Sequence, residues 1–492
     1  MEYEKEVESR TTTFHSDISA VWGLAISHLD IRKVYDFDPK VIGAGGFGVV
    51  RRAKLHGDGS KIYAIKSLDK KRLSGQFESL KNELSILRFC DHQNIIKFYE
   101  IFQDKEHFHF VMEYCEGGDI VSYVKDNGPL DEETTRKIIF ECLLALNHLH
   151  SCGLIHRDIK ADNFLFKGTD PKSSIKLIDF GLTKWKVSEG KLYSQAGTRF
   201  YFAPEMLTKQ GYSEKVDLWA VGVMMYFILG GVYPFIESTE YLLYNKIKRG
   251  EYNLRSTSGT ASLSANGKDL INRLLERSPD DRISARDALK HEWFIDFHQQ
   301  RYSLGEKNIS PVIIQRLRNF IKAKDFCKET IRLMVKSNEE YDQEVQQLES
   351  AYDYLDILDK GVIGEAELGK IFNDEMKLGI TRSELLEVIS AAQVRTAGVL
   401  TKSEFVAAAV GPNFYKNEKY LNQMFARFDQ DHDGFIDHDD LRDCFVRFGR
   451  NLKEEVIGRW IGDFEKKKDD KISKEEFKSL ITSSCHNNGT SV

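Results

Sequence analysis

The sequence predicts an α+β chain of two lobes followed by an all-α tail. Three observations carry this. Short apolar alternations broken by glycine-rich turns run from Tyr35 to about Lys66; helical periodicity dominates beyond Gly128; and from about Val345 four segments of roughly 35 residues share one terminal pattern. A length of 492 residues, against roughly 100–200 per domain, agrees with two or three domains.

The elements follow in order. VIG, FGVV and IYAIK alternate between glycine turns, the pattern of twisted antiparallel hairpins. Residues 77–88, FESLKNELSILR, put Leu80, Leu84 and Leu87 on one helical stripe, and FYEIFQ and HFHFVMEY read as two further strands. TTRKIIFECLLALNHLH, DLWAVGVMMYFILG and GKDLINRLLE are helical, with short strand-like pieces at FLF and IKLI. The most apolar run, Leu218 to Tyr233, falls short of the roughly 18 residues of a membrane span and lies between Asp217 and Pro234, so a buried helix is expected. After His291-Glu-Trp-Phe, the stretch VIIQRLRNFIKAKDFCKETIRLMV mixes basic and apolar residues at helical spacing and reads as a connector. The four repeats end in VIGEAEL, VLTKSEF, FIDHDDL and KISKEEF.

Composition narrows the function. With 41% hydrophobic, 11% aromatic and 30% charged residues the chain can build real cores, which excludes wholesale disorder and collagen-like repetition. A net charge of −6 argues against a nucleic-acid binder relying on bulk phosphate attraction. The surplus is local: residues 351–492 hold 26 Asp/Glu against 20 Lys/Arg, and the remainder balances. Seven cysteines, an odd number without a C-x-x-C pair, fit a reducing compartment. MEYEKEVESR carries no apolar signal core and has Glu2 where myristoylation needs glycine, so a cytoplasmic location is expected, with peripheral membrane association left open.

The chemistry begins at Gly43-Ala-Gly45-Gly46-Phe47-Gly48-Val49-Val50, a G-x-G-x-x-G-x-V hairpin whose missing side chains let backbone amides approach phosphate oxygens. A dinucleotide-binding turn would need a helix directly after the glycines, whereas a strand follows here. Ala64-Ile65-Lys66 then supplies an ammonium, and Glu83 lies on the next helix. His156-Arg157-Asp158-Ile159-Lys160-Ala161-Asp162-Asn163, Asp179-Phe180-Gly181 and Ala203-Pro204-Glu205 follow in that order.

From about Tyr35 to Phe294 the chain therefore resembles the eukaryotic protein kinases, and the resemblance implies a bilobal kinase fold and the site roles. Asp158 would orient a substrate hydroxyl and accept its proton, Asn163 and Asp179 would hold Mg²⁺ on the ATP phosphates, and Lys66, paired with Glu83, would grip those phosphates. Charge spread over the transferred phosphoryl group demands such preplaced cations and donors. Val50, Ala64 and Leu165 are implied as adenine walls, Met112 as gatekeeper, Glu113 and Cys115 as hinge, and Asp119 as a further residue of the nucleotide site. Glu205 and Arg282 resemble a buried structural ion pair and Asp217 a catalytic-loop anchor. Lys160 and Thr198 resemble the serine/threonine branch, while Asp119 and Asp162 sit where related kinases attract an upstream arginine, giving an expected preference for basic peptides. Arg157 implies a phosphorylated activation segment, with Ser194 the first candidate and Thr183, Ser188 and Tyr193 its competitors.

Asp429-Gln-Asp431-His-Asp433-Gly434-Phe435-Ile436-Asp437-His-Asp439-Asp440 fits an EF-hand calcium loop: oxygen ligands alternate, Gly434 permits the turn and the Phe435 carbonyl contributes. It departs at position 12, where Asp440 replaces the usual glutamate and weakens the expected preference for Ca²⁺ over Mg²⁺. Loops beginning at Asp356, Gln393 and Glu465 and ending at Glu367, Glu404 and Glu476 carry Leu358 and Lys360, Arg395 and Ala397, and Lys467 and Asp469 at positions 3 and 5. The cationic and apolar side chains among these cannot ligate calcium, so packing units are expected there.

In this order the parts resemble the calcium-dependent protein kinases of plants and protists. The resemblance implies an N-terminal extension (1–34), a kinase domain (35–294), a helical junction (295–344), a calmodulin-like all-α domain with four EF-hand-like repeats (345–485) and a short tail (486–492). It further implies ATP, Mg²⁺ and Ca²⁺ as cofactors, protein substrates with Ser or Thr near basic residues, intramolecular contacts among the three parts, and a monomer without nucleic-acid partner or transmembrane segment. Arg316, Arg318 and Lys322 of the junction are candidates to contact the acidic cleft, though they equally fit the solvated side of an amphipathic helix. Two rival readings remain: an active kinase whose degenerate EF-hands are a constitutive docking module, and a catalytically silent calcium-sensing scaffold.

Overall fold

The computed structural model describes residues 26–45, 48–56, 58–73, 76–186, 192, 196–208, 211–297, 311–338, 342–356, 358–375, 380–394, 398–448, 450–462 and 470–484. The chain divides into two compact units. One takes Met1–Lys81, Phe98–Tyr114 and Tyr415–Ser484; the other takes Asn82–Lys97, Cys115–Phe414 and Cys485–Val492.

The first unit is built on an antiparallel sheet of β1 (Tyr35–Gly45), β2 (Gly48–Leu55), β3 (Asp58–Asp69), β4 (Phe98–Gln103) and β5 (His107–Glu113), in the order β1-β2-β3-β5-β4. Cross-strand pairing places Val50 opposite Lys66 and Ala64 opposite Met112, so these four side chains share one face. Tyr63 and Ile65, one residue out of phase, face the other way and bury with Tyr35, Ala53, Tyr99, Phe102 and Val111. The sheet thus has an aromatic core face and a second face that carries Lys66.

Helix α1 (Phe77–Phe89) buries Leu80, Leu84 and Leu87, as their spacing predicts. In the second unit, Asp119 caps the short helix α2 (Ile120–Asn127). The long helix α3 (Glu132–Ser151) starts at the Asp131 cap, with Glu132 and Glu133 in its first turn and His148 and His150 in its last, which suits the helix dipole. Two short pairs, β6 (Leu154–Ile155) with β9 (Lys184–Trp185) and β7 (Phe164–Phe166) with β8 (Ile175–Leu177), fix the loop that carries residues 156–163. Helix α4 (Lys215–Gly230) is buried from Val216 to Leu229, so the apolar run is a core helix.

The connector forms two helices, α5 (Pro311–Lys322) and α6 (Asp325–Asn338). The first closes where the Ala323 N–H is shared between the carbonyls of Asn319 and Phe320. After α7 (Gln343–Leu355), β10 (Ile363–Gly364) pairs with β11 (Val399–Leu400), joining Ile363 to Leu400. In the first unit the same device recurs. Helix α8 (Glu418–Phe428), β12 (Phe435–Ile436), α9 (His438–Arg447) and β13 (Ile472–Ser473) set Ile436 opposite Ile472. In both pairs the joined residues are those aligned at position 8 of their loops. Among the described residues no helix is long and apolar enough to cross a membrane.

Candidate functional site

In the second unit, Asp158 is the centre of a dense local network. Its Oδ1 accepts the Thr198 N–H at 2.9 Å and the Thr198 hydroxyl at 3.0 Å, and its Oδ2 lies 2.6 Å from the Lys160 ammonium. Lys160 also donates to the Thr198 hydroxyl at 3.0 Å. Asn163 spends its Nδ2 on the Asp158 carbonyl at 2.8 Å, which leaves its amide oxygen as the group available to a cation. Asp179 follows β8, with Oδ1 accepting the Gly181 N–H at 2.9 Å. A side-chain carbon at Gly181 would stand 3.3 Å from that oxygen and 4.0 Å from Glu83 Oε2, so both carboxylates border this glycine. Carboxylate and amide oxygens are hard donors that suit a divalent cation such as magnesium.

The loop is held from beneath. Asp217, buried on α4, accepts the backbone N–H groups of His156 and Arg157 at 2.9 and 2.8 Å and pairs with His150 Nε2 at 2.8 Å. Burial opposes its charge, yet the His150 hydrogen bond and these amides hold its carboxyl below the usual range. Arg157 adopts φ +70° and is bound by the Leu182 carbonyl and the Tyr212 hydroxyl. Glu205 and Arg282 form a bidentate pair at 2.6 and 3.0 Å, with the guanidinium over the Trp219 ring.

The first unit carries the glycine hairpin. Gly45 pairs with Gly48, and a Cβ on Gly48 would fall 1.9 Å from the Ser67 carbonyl, so only glycine fits there. Val50, Ala64, Lys66 and Met112 share the face described above, and Glu113 is buried beside it. Gly43 pairs with Val50. Gly46 lies outside the described residues. Cys115 and Leu165 belong to the second unit, where both are set on the chain near Asp119, Leu165 through a bridge. Asp119 caps α2 through Ser122, while Asp162 is exposed. Of the activation-segment candidates, Ser188, Tyr193 and Ser194 lie outside the described residues, and Thr183 is buried at 1% exposure, which makes it a poor acceptor.

The Asp429 loop gathers Asp429, Asp431 and Asp433 so that one oxygen from each lies within 4.8 Å of the others. Asp429 Oδ2 accepts the Gly434 N–H at 3.2 Å, while its buried Oδ1 has no hydrogen-bond partner. Burial, with the charges of Asp433 and Asp431, raises its carboxyl above the usual range. Asp440 turns instead to the backbone, accepting from Gln430 and Asp437 at 3.1 Å each, and burial pushes it up to about 6. Lys471 of the fourth loop places its ammonium 2.6 Å from Asp433 and 3.9 Å from Asp437. Nothing in the loop motif marks this internal counter-charge, because Lys471 lies 38 residues from Asp433.

The first loop is occupied differently. Lys360 at its position 5 reaches Glu367 at position 12, 3.4 Å away. The carbonyls of Leu358 and Asp359 accept from Asn147 Nδ2 at 3.1 and 2.5 Å, and that of Lys360 lies 2.8 Å from His148 Nδ1, both partners being on α3. The junction arginines have carboxylate and carbonyl partners of their own. Arg316 pairs with Glu344 at 2.6 Å and donates to the Ala409 carbonyl, and Arg318 pairs with Glu384 at 3.0 Å. These two cations serve the repeat region rather than an acidic cleft.

Comparison with known proteins agrees with this chemistry. The protein kinase domain family matches residues 38–294 and an EF-hand domain pair matches residues 418–482. The chain is 31% identical over 459 residues to Calcium-dependent protein kinase 29 of Arabidopsis thaliana, covering 92% of this chain and 83% of that protein. Calcium-dependent protein kinase 33 of the same plant is 29% identical, with coverage of 96% and 89%. Calcium-dependent protein kinase 19 of Oryza sativa subsp. japonica is 29% identical, with coverage of 92% and 83%.

The chain belongs to the calcium-dependent protein kinases. Its activity is accordingly that of a protein serine/threonine kinase, which uses ATP with a divalent cation. In this calcium-dependent kinase the Asp158 network belongs to the second unit and the Asp429 loop to the first.

Proposed function

We propose that the chain transfers the ATP γ-phosphoryl group to Ser or Thr of basic protein substrates under calcium control, as a cytoplasmic monomer. The observation that carries the reading is the Asp158 network, in which one carboxylate is bound by Lys160, Thr198 and Asn163.

Asp158 accepts the substrate hydroxyl proton, and Lys160 beside it neutralises charge gathering on the transferred group. Mg²⁺, held by Asp179 and the Asn163 amide oxygen, supplies phosphate neutralisation when bound. Lys66 and Glu83 keep the roles that the motifs assign them, as do Gly43, Gly45, Gly46 and Gly48 for phosphate and Val50, Ala64, Met112, Glu113, Cys115 and Leu165 for the base. Exposed Asp162 is the better placed of the two acids for an upstream arginine, because Asp119 is engaged as a helix cap. Residues 345–485 form a calmodulin-like domain in which Asp429, Asp431, Asp433, the Phe435 carbonyl, Asp437 and Asp440 bind Ca²⁺, and the other three loops act by packing.

The test is phosphate transfer from Mg·ATP to an arginine-bearing serine peptide, with calcium or chelator. Wild type should be stimulated by calcium, Asp158→Ala should lose at least about a hundredfold in kcat, and Asp433→Ala should lose calcium sensitivity. Activity indifferent to calcium in wild type would instead support the docking-module reading. A peptide array without enrichment for upstream Arg or Lys would remove the basic preference.

A further inference from the structure

We propose that Asp104, His107 and His109 form a second cation site, one for a divalent transition-metal ion of the zinc class. His107 and His109 stand two apart on β5, so the strand period puts both rings on one face. Asp104 closes the turn from β4, donating its N–H to the His107 carbonyl at 3.0 Å and accepting the Glu106 and His107 amides at 2.7 and 2.6 Å. One ligand atom from each of the three side chains lies within 4.8 Å of the other two.

The spacing is that of a metal site. His109 Nε2 is 3.0 Å from Asp104 Oδ2, and His107 Nδ1 is 3.6 Å from Asp104 Oδ1. Tetrahedral zinc with bonds of about 2.0–2.1 Å sets its ligands roughly 3.3 Å apart.

Support comes from behind the ring. His109 Nδ1 lies 2.8 Å from the Ser67 hydroxyl, and both residues are buried. A serine hydroxyl donates or accepts as required. When it accepts from Nδ1–H, it leaves the Nε2 lone pair to the metal, the arrangement that outer-shell partners impose on ligating histidines. Lys70 is not a rival for the carboxylate, since it donates to the Gln103 side chain and the Asp104 backbone carbonyl. Asp104 is exposed and His107 half-buried, which gives ion and water a way in. Two imidazoles favour zinc-class ions over Ca²⁺ or Mg²⁺, so the site is chemically separate from the Asp429 loop. A bound ion would tie the hairpin tip, through Ser67, to the strand that bears Lys66.

The experiment titrates the full chain, stripped with chelator, with Co²⁺ in excess Ca²⁺ and Mg²⁺ so that oxygen sites are filled. One equivalent of tetrahedral Co²⁺ absorption, bleached by Zn²⁺, is expected. His107→Ala should weaken binding at least tenfold and Ser67→Ala about tenfold, with Asp433→Ala unchanged. One equivalent of Zn²⁺ should raise the melting temperature of wild type and not of His107→Ala. No tetrahedral spectrum in wild type, or equal affinity in a folded His107→Ala protein, overturns the proposal. If His107→Ala does not fold, Asp104→Asn keeps the turn's amide contacts through its oxygen and is judged by the same two outcomes.

Discussion

Arg427, two residues before Asp429, is held 3.5 Å from Glu100 of β4 in a pair from which both side chains exclude water. Its second nitrogen donates to the Tyr63 hydroxyl at 2.7 Å, and Arg447, at the end of the helix after the loop, approaches the other Glu100 oxygen at 3.9 Å. The two helices flanking the calcium loop therefore meet one buried carboxylate on the kinase sheet. Burial works against the Arg427 charge, but Tyr63, Tyr35 and Glu100 hold its proton affinity above the ordinary value.

Removing that carboxylate leaves two buried guanidinium groups without their counter-charge. Breaking a buried pair in this way costs about 3–5 kcal/mol. Glu100→Gln should therefore lose hydrogen-exchange protection in β4 and α8 of the full chain, and Arg427→Met added to it should restore part of the loss. Unchanged protection in Glu100→Gln would mean that the pair contributes nothing.

Such a contact was not legible in the sequence, and the reason is physical. Glu100 and Arg427 are 327 residues apart, and β4 is buried along its whole length, so FYEIFQ offers no polar alternation to mark one position as special. What was legible is local. Asp158, Lys160 and Asn163 meet because they lie within five positions of one another on one loop, and the position-8 residues Ile363, Leu400, Ile436 and Ile472 pair because the loop repeats fix register. The spacing of Arg316 and Arg318 fits either a cleft contact or the solvated side of an amphipathic helix, and it names neither of their partners, Glu344 and Glu384.

Thr198 acts on catalysis through Asp158, as a positioning residue. Its hydroxyl binds both Asp158 and Lys160, while its backbone N–H would survive substitution. A hydrogen bond to a charged group is worth about 1.5–3 kcal/mol, so Thr198→Ala should lower kcat roughly ten- to a hundredfold with KM for ATP little changed. Thr198→Ser, which restores the hydroxyl, should recover most of it. Equal kcat in wild type and Thr198→Ala would show that the backbone contact suffices.

The first loop predicts a calcium count. Lys360 at position 5 pairs with Glu367 at position 12, and the carbonyls at 358–360 contact Asn147 and His148. Asp356→Ala should leave the number of bound Ca²⁺ ions unchanged, whereas Asp433→Ala should reduce it by one, as measured by equilibrium dialysis. Gly361 gives a structural check. At φ +70° its Cβ would stand 2.5 Å from His148 Nδ1, so Gly361→Ala should destabilise the chain by more than about 1 kcal/mol. A lost calcium ion in Asp356→Ala would overturn this account of the loop.

Lys471 makes the opposite prediction for the Asp429 loop. Its ammonium satisfies Asp433 and reaches towards Asp437, so a cation that binds these carboxylates has to displace it. The pull is mutual: the ammonium holds the Asp433 carboxyl below the usual range, and Asp433 raises the lysine in turn. A bound divalent cation must push this like charge away, at a cost that solvent moderates because both groups are partly exposed. Lys471→Met removes the repulsion, together with the ammonium that stands 5.8 Å from the Phe435 ring centroid. Calcium affinity of the loop should rise on the order of fivefold at low ionic strength and less at high salt. Affinity that falls on this substitution would make Lys471 a support that organises the loop for the ion, and would reverse the sign of its role.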